Sequence, residues 1–236
     1  MFRLKMALEQ DLIHAMDLEA LATSLSQEQQ SGEHLCRALH AERADFLSFC
    51  FNTEKYADGD IIPKSYKATS KDILHYLEFF ERLESACHLP MAELLQTNEA
   101  AKSDLKKSAA SSGLLEDRDW YPPDLMLYPL FSRVIIHCRD CQQLNMVLHG
   151  IAIRRYQDQY GEFPRDLFAL QDVGFDTLAH MPIGDKPMGY RLEGDEAVLW
   201  STPPVLGLET TPEPPAITPS TPNQEMLQLM LWRFKP

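Results

Sequence analysis

The chain has 236 residues, 44% of them apolar, and a formal net charge of −13. That length fits one large domain or two small ones, and the apolar share is enough for a proper core. The negative charge argues against nucleic acid and anionic membranes as partners, since both call for a basic face, and otherwise it favours solubility.

The first predicted element is a helix over residues 3–28, where Leu4, Leu8, Leu12, Ala15, Leu18, Leu21, Ala22 and Leu25 make one apolar stripe in steps of three and four. Ser31-Gly32 interrupts it. A second helix is predicted over 33–51, with Leu35, Leu39, Phe46, Leu47 and Cys50 inward and Glu33 and Arg37 paired on its outer side. Residues 52–69 read as irregular, with Asp58-Gly59-Asp60 and Pro63 as turn formers. Ser70 can cap a third helix running to about residue 89, and Pro90 can open a fourth running to about 106. Residues 108–112 are small and polar and read as a loop.

Pro122-Pro123 reads as a hard break, with Asp124 as the cap of the longest helix, about 124–160. Its apolar positions include Leu127, Leu130, Val134, Cys138, Cys141, Leu144, Leu148, Ile151 and Tyr156, and Gly161 stops it. Pro164 then opens a short helix over 165–170, and residues 188–193 and 196–201 alternate around Gly194-Asp195 as a hairpin does. Residues 202–223 hold seven prolines and read as an extended connector. The apolar residues 226–234 that follow are expected to dock as a last strand against the hairpin.

Nothing in the sequence offers about 18 consecutive charge-free apolar residues; the best stretch, 125–136, is short and carries Arg133. The N-terminus lacks the apolar core of a signal peptide, so the chain as it stands is expected to be soluble. Five cysteines, an odd number, do not read as a disulfide framework and by themselves fit a reducing compartment.

The most metal-like cluster is His137, Cys138 and Cys141, with His149 beyond; positions 138, 141, 145 and 149 share a helix face. A zinc site needs four ligands in a tetrahedron, so His34, Cys36 or His88 would have to converge on that face. The favoured reading is two cysteines serving as small apolar core residues, with no metal and no cofactor. The same pair is a Cys-x-x-Cys, but it sits mid-helix, away from the N-terminal dipole that activates redox thiols. Asp58, Asp60, Glu116, Asp117 and Asp119 read as solvated loop acids, since neither group continues into a calcium-loop spacing. His14, His34, His40, His75 and His88 are scattered over helices with no nucleophile in a reactive context, and no glycine-rich phosphate loop exists. No catalytic residue is therefore named. Trp120, Tyr121, Phe131, Tyr156, Tyr160 and Phe163 form an aromatic run that reads as core, the alternative being a groove for a peptide or partner helix.

One stretch has a recognisable shape. Ala152, Tyr156, Gly161, Phe163 and Pro164, then Met181-Pro182, Lys186-Pro187-Met188-Gly189-Tyr190 and Leu199-Trp200-Ser201, follow one another as in the C-terminal part of type II secretion major pseudopilins, which this stretch resembles. More broadly, the chain resembles uncharacterised, mostly helical proteins of planctomycete-type bacteria. These similarly carry an Ala-Glu-Arg-Ala helix, here 41–44, the same Tyr-x-x-x-x-Gly-x-x-Pro module, and an ending like Arg233-Phe234-Lys235-Pro236. The resemblance covers about 125–201 clearly and implies a shape, not an activity. Where pseudopilins have an apolar assembly helix and a calcium loop, this chain has neither, and Thr202-Pro203-Pro204-Val205-Leu206 stands in the loop's place. Filament assembly and calcium binding are thus not implied. What the planctomycete-type resemblance implies is a periplasmic or cell-envelope location, with an anchor upstream; a cytoplasmic location is the alternative.

Taken together, the expected fold is mainly α: a helical bundle around a long central helix, capped by a small C-terminal antiparallel sheet. The expected segments are an N-terminal helical region over 1–123, the long helix and hairpin module over 124–201, a connector over 202–223 and a terminal strand over 224–236, packed as one domain. The expected function is a non-enzymatic structural or protein-interaction role with an unidentified protein partner and an open oligomeric state. The alternative is a helical metal- or ligand-binding protein built on Cys138, Cys141 and nearby histidines. An enzyme of unknown class ranks last.

Overall fold

The computed structural model describes residues 7–10, 15–29, 33–51, 70–111, 122–175, 188–201 and 231–236. Among these the protein is mainly α, with a small antiparallel sheet near the C-terminus. The helices are α1 (Ala15–Gln29), α2 (Glu33–Phe51), α3 (Ser70–Ala86), α4 (Met91–Ser111) and α5 (Pro122–Tyr160), followed by a 3-10 helix (Leu167–Val173) and strands β1 (Gly189–Glu193), β2 (Glu196–Trp200) and β3 (Leu231–Phe234). The chain divides into two compact units, residues 1–30 with 138–236, and residues 31–137. The division falls inside α5, which contributes its first part to one unit and its last part to the other.

In the unit formed by 31–137, α3 packs against both α2 and α4. The inward stripe of α2 is Leu35, Leu39, Phe46 and Phe49. Leu47 and Cys50, expected inward, are only half-buried, because the steps 39–46–49 keep the aromatic rings on the face that meets α3. Phe46 meets Tyr76 edge-on at 5.0 Å and Phe80 at 5.8 Å. Arg37 donates through Nε to the Glu33 backbone carbonyl at 3.4 Å, within its own helix. Pro90 precedes α4, and its carbonyl accepts the first helical bond from Leu94 at 2.9 Å. The helix continues through Ser111, past the loop expected at 108: Ser-Ala-Ala-Ser carries two of the best helix formers and no breaker. The long helix likewise begins earlier than expected, at Pro122, because a first-turn N–H has no helical acceptor to lose and proline's fixed φ suits that turn.

In the other unit α5 is buried almost all round: residues 145–154 are each shielded from solvent. Its core joins Met146, Val147, Ile151, Ala152 and Ile153 with Leu8, Leu18, the 3-10 helix and the sheet. The sheet order is β1-β2-β3 with every pairing antiparallel, so the expected terminal strand forms, over 231–234, and pairs with the second arm of the hairpin. Ala197 pairs with Phe234 and Leu199 with Trp232, which places those four on the core face. Gly150 lets the sheet approach: a Cβ there would lie 2.7 Å from the Trp232 ring, so only glycine admits the indole against the helix. On the opposite face of the sheet Val198 and Trp200 are also buried, with Arg191 above the Trp200 ring at 5.9 Å. Arg233 there reaches Glu193 at 2.6 Å and Glu196 at 3.8 Å.

The N-terminal residues close the sheet. Glu9 accepts from the Arg233 N–H through its carboxylate at 2.7 Å, and from the Lys235 N–H through its carbonyl at 3.5 Å. These main-chain donors lie on the β3 edge away from β2, where an open edge would otherwise invite another chain. The helix expected to run unbroken over 3–28 leaves helical geometry at Gln10. The carbonyls of Leu8 and Glu9 turn there to the Arg154 guanidinium, at 2.6 Å each. The connector expected over 202–223, the irregular stretch 52–69 and the acids at 58, 60, 116, 117 and 119 lie outside the described residues, as do Trp120 and Tyr121.

Candidate functional site

The pseudopilin-like motif residues build one end of the sheet-bearing unit. Gly161 ends α5 with φ +75, a left-handed conformation that favours glycine, and its N–H still donates to the Gln157 carbonyl at 2.7 Å. The chain then turns back, burying Phe163 and Pro164. The short helix expected at 165–170 is a 3-10 helix two residues further on, capped by Asp166 rather than opened by Pro164. The Asp166 carboxylate accepts from the Phe168 and Ala169 N–H groups at 2.9 and 3.1 Å, which fixes where the turn begins. Tyr190 on β1 reaches across and donates its hydroxyl to the Pro164 carbonyl at 2.7 Å. Burial, then the negative charge of Asp166, pushes the Tyr190 hydroxyl well above the ordinary tyrosine range, so it remains a donor. Ala152 and Trp200 are buried, while Tyr156 is half-buried with its ring 4.5 Å from that of Tyr160.

Arg154 holds the ends of this unit together, and the sequence reading passed over it. It is 1% exposed, and its guanidinium donates to the carbonyls of Leu8, Glu9 and Lys235, the last at 2.8 Å, and to the Gln157 side chain. The Phe163 and Phe234 rings lie over it at 5.8 and 5.5 Å. Three of its four partners are main-chain carbonyls remote in sequence, which leave no residue-type signature. The one signal was position: 147, 151 and 154 fall on a single helix stripe, and the first two are buried aliphatics.

The cysteine and histidine candidates do not assemble. Among the described residues no group of three or more His, Cys, Asp or Glu side chains is placed to hold a metal ion. Burial and the neighbouring Cys141 push the Cys138 thiol up to about 12, and burial and Asp140 push Cys141 up to about 11. Burial thus holds both thiols further toward the neutral form than an exposed cysteine. His149 is buried; its Nδ1 must be the donor to the Asn145 carbonyl at 2.8 Å, and its ring meets Phe175 edge-on at 4.9 Å. His137 is half-buried one residue before Cys138. Of the side chains proposed to complete such a site, Cys36 and His88 lie 3.7 Å from each other in the other unit, and His34 contacts Arg37.

What the motif does enclose is a surface cleft of about 350 Å³ where the end of α5 meets the hairpin turn. Gln157, Gly161, Glu162 and Arg165 line one side, Leu192, Gly194 and Asp195 the hairpin side, with Phe163 and Pro236 completing it. Gly194 has φ +67 in the tight turn expected there. Leu192 is 42% exposed, and Tyr160, just before Gly161, is 46% exposed. The lining thus combines apolar side chains with charges of both signs, and it holds no serine, cysteine or histidine. The chain matches no protein-family model, no curated protein and no solved structure. The reading of the cleft therefore rests on its own chemistry.

Proposed function

We propose that the chain is a non-enzymatic protein-interaction module whose docking site is the cleft between the end of α5 and the β1–β2 turn, and that it works in the periplasm or cell envelope. The observation that carries the reading is the pairing of exposed Leu192 with a cleft bearing Glu162, Arg165 and Asp195. Large apolar side chains left in water beside polar groups are what peptide-recognition surfaces present. The lining holds no serine or cysteine nucleophile and no histidine to activate one. The envelope location rests on the pseudopilin-like and planctomycete-type resemblance. No helix among the described residues is long and apolar enough to cross a membrane.

A peptide-display selection against the folded protein tests the docking site. Selected peptides should bind with micromolar affinity and lose at least about tenfold, or 1.4 kcal/mol, on Leu192→Asp. Peptides that bind the parent and Leu192→Asp alike would remove the cleft from the reading.

A further inference from the structure

In the unit formed by 31–137, where α2 packs against α3, Cys36 on α2 faces the turn at the end of α3 that carries Cys87, a site independent of the cleft. Cys36 Sγ lies 3.9 Å from the Glu84 carbonyl and 3.7 Å from His88 Nε2, so it faces the turn of chain that carries Cys87. Cys87 Sγ hydrogen-bonds the Leu83 carbonyl at 3.5 Å, and the Cys87 N–H donates at 3.2 Å to the same Glu84 carbonyl that Cys36 Sγ faces. Arg43 and His40 reach the Glu84 carboxylate from α2 at 2.8 and 3.5 Å, which pins the two helices in this register. Cys36 is half-buried and reachable, whereas Cys87 is 3% exposed. We propose that Cys36 and Cys87 are a disulfide-forming pair, with Cys36 as the attacking thiol and Cys87 as the resolving one.

The reaction is thiol–disulfide exchange with a small disulfide, RSSR. Cys36 gives its proton to His88 Nε2 and attacks one sulfur of RSSR, forming a Cys36–SR mixed disulfide and releasing one thiolate, which takes that proton. Cys87 then attacks Cys36 Sγ, closing the Cys36–Cys87 bond and expelling the second thiolate, which takes the Cys87 proton. Two protein thiols lose two electrons and two protons, and RSSR leaves as two RSH. Burial first, then the neighbouring Cys36 thiol and the charge of Glu84, raise the Cys87 thiol above the ordinary cysteine range. Once Cys36 is a mixed disulfide it carries no thiolate charge to oppose ionisation of Cys87, and its Sγ is the electrophile beside Cys87, so resolution follows capture.

The test is treatment of the native 236-residue chain with oxidised glutathione, then denaturation, thiol counting and disulfide mapping by peptide mass spectrometry. The expected result is a fall from five thiols to three with Cys36 joined to Cys87, and an unfolding midpoint raised by roughly 5–15 °C. C87S should stop at a glutathione adduct on Cys36, and C36S should leave Cys87 unmodified. Adducts or bridges on Cys50, Cys138 or Cys141 in preference to this pair, or five thiols surviving in the parent, would overturn the proposal. The mapping on the parent decides it even where a variant fails to fold. An exported chain would meet such oxidants and hold the pair bridged, while a reducing compartment would keep it open.

Discussion

Replacing Arg154 with methionine probes the tie between the N-terminal residues, α5 and β3. The guanidinium donates to the Leu8, Glu9 and Lys235 carbonyls at 2.6–2.8 Å. Each charge-assisted bond has a net worth of about 1.5–3 kcal/mol, so the three amount to roughly 5–9 kcal/mol before opposing terms. Against that stands the cost of taking a cation out of water, several kcal/mol, which methionine does not incur. Methionine also fills most of the vacated volume between the Phe163 and Phe234 rings, so the cavity term is small. The net expectation for Arg154→Met is a loss of about 2–4 kcal/mol by urea denaturation, and Arg154→Lys, which keeps the charge but not the fork, should fall between. Hydrogen exchange gives the local readout: the Arg233 and Lys235 amides, both bonded to Glu9, should exchange faster in the variant. A variant within about 0.5 kcal/mol of the parent, with those amides equally protected, would refute the idea that Arg154 organises the ends of the chain.

Three smaller changes test other joints. Gly150→Ala should destabilise by about 1–2 kcal/mol in thermal melts, because the added methyl meets the Trp232 ring at 2.7 Å and overpacking outweighs the better helix propensity of alanine; a stabilised variant would mean that the sheet does not lie there. Tyr190→Phe should cost about 1 kcal/mol at neutral pH through the lost bond to the Pro164 carbonyl. The folded-state pKa of Tyr190 is raised, so its contribution is full below the unfolded tyrosine value near 10 and declines as pH rises beyond it. Tyr190→Phe should therefore flatten the alkaline fall in stability, and a parallel fall in parent and variant would exclude this. Asp166→Ala should cost about 1 kcal/mol and loosen the 3-10 helix in amide exchange, since one carboxylate oxygen serves both the Phe168 and Ala169 N–H groups; unchanged protection of those two amides would contradict that role.

Most of the architecture was legible in the residues. Spaced leucines and Phe46 marked α2, Ser70 marked the start of α3, Pro90 and Gly161 marked a start and a stop, and Gly194-Asp195 marked the hairpin turn. Ends of helices were less legible, because Ser108 to Ser111 and Pro122-Pro123 satisfy loop rules and terminal-helix rules alike. Hardest to read were interactions that run through the backbone. Glu9 covering the β3 edge and Arg154 gathering carbonyls depend on groups every residue carries, so side-chain identity gives no notice of them. The cleft was half legible: Tyr160 and Phe163 stood out as aromatics at a helix end, but Leu192 reads in sequence as an ordinary strand residue. The meeting of Cys36 with Cys87 depends on how α2 packs against α3, which neither helix states alone.

A protein partner docked in the cleft would lie within crosslinking reach of position 192. The most direct measurement is site-specific photo-crosslinking in the producing cells, with a photoreactive residue at position 192 and, for comparison, at exposed Glu19. A discrete adduct is expected from position 192, none from position 19, with the adduct lost when Arg165→Glu reverses a charge on the cleft wall without altering the melting temperature. Equal labelling from both positions, or an adduct indifferent to Arg165→Glu, would contradict docking in the cleft.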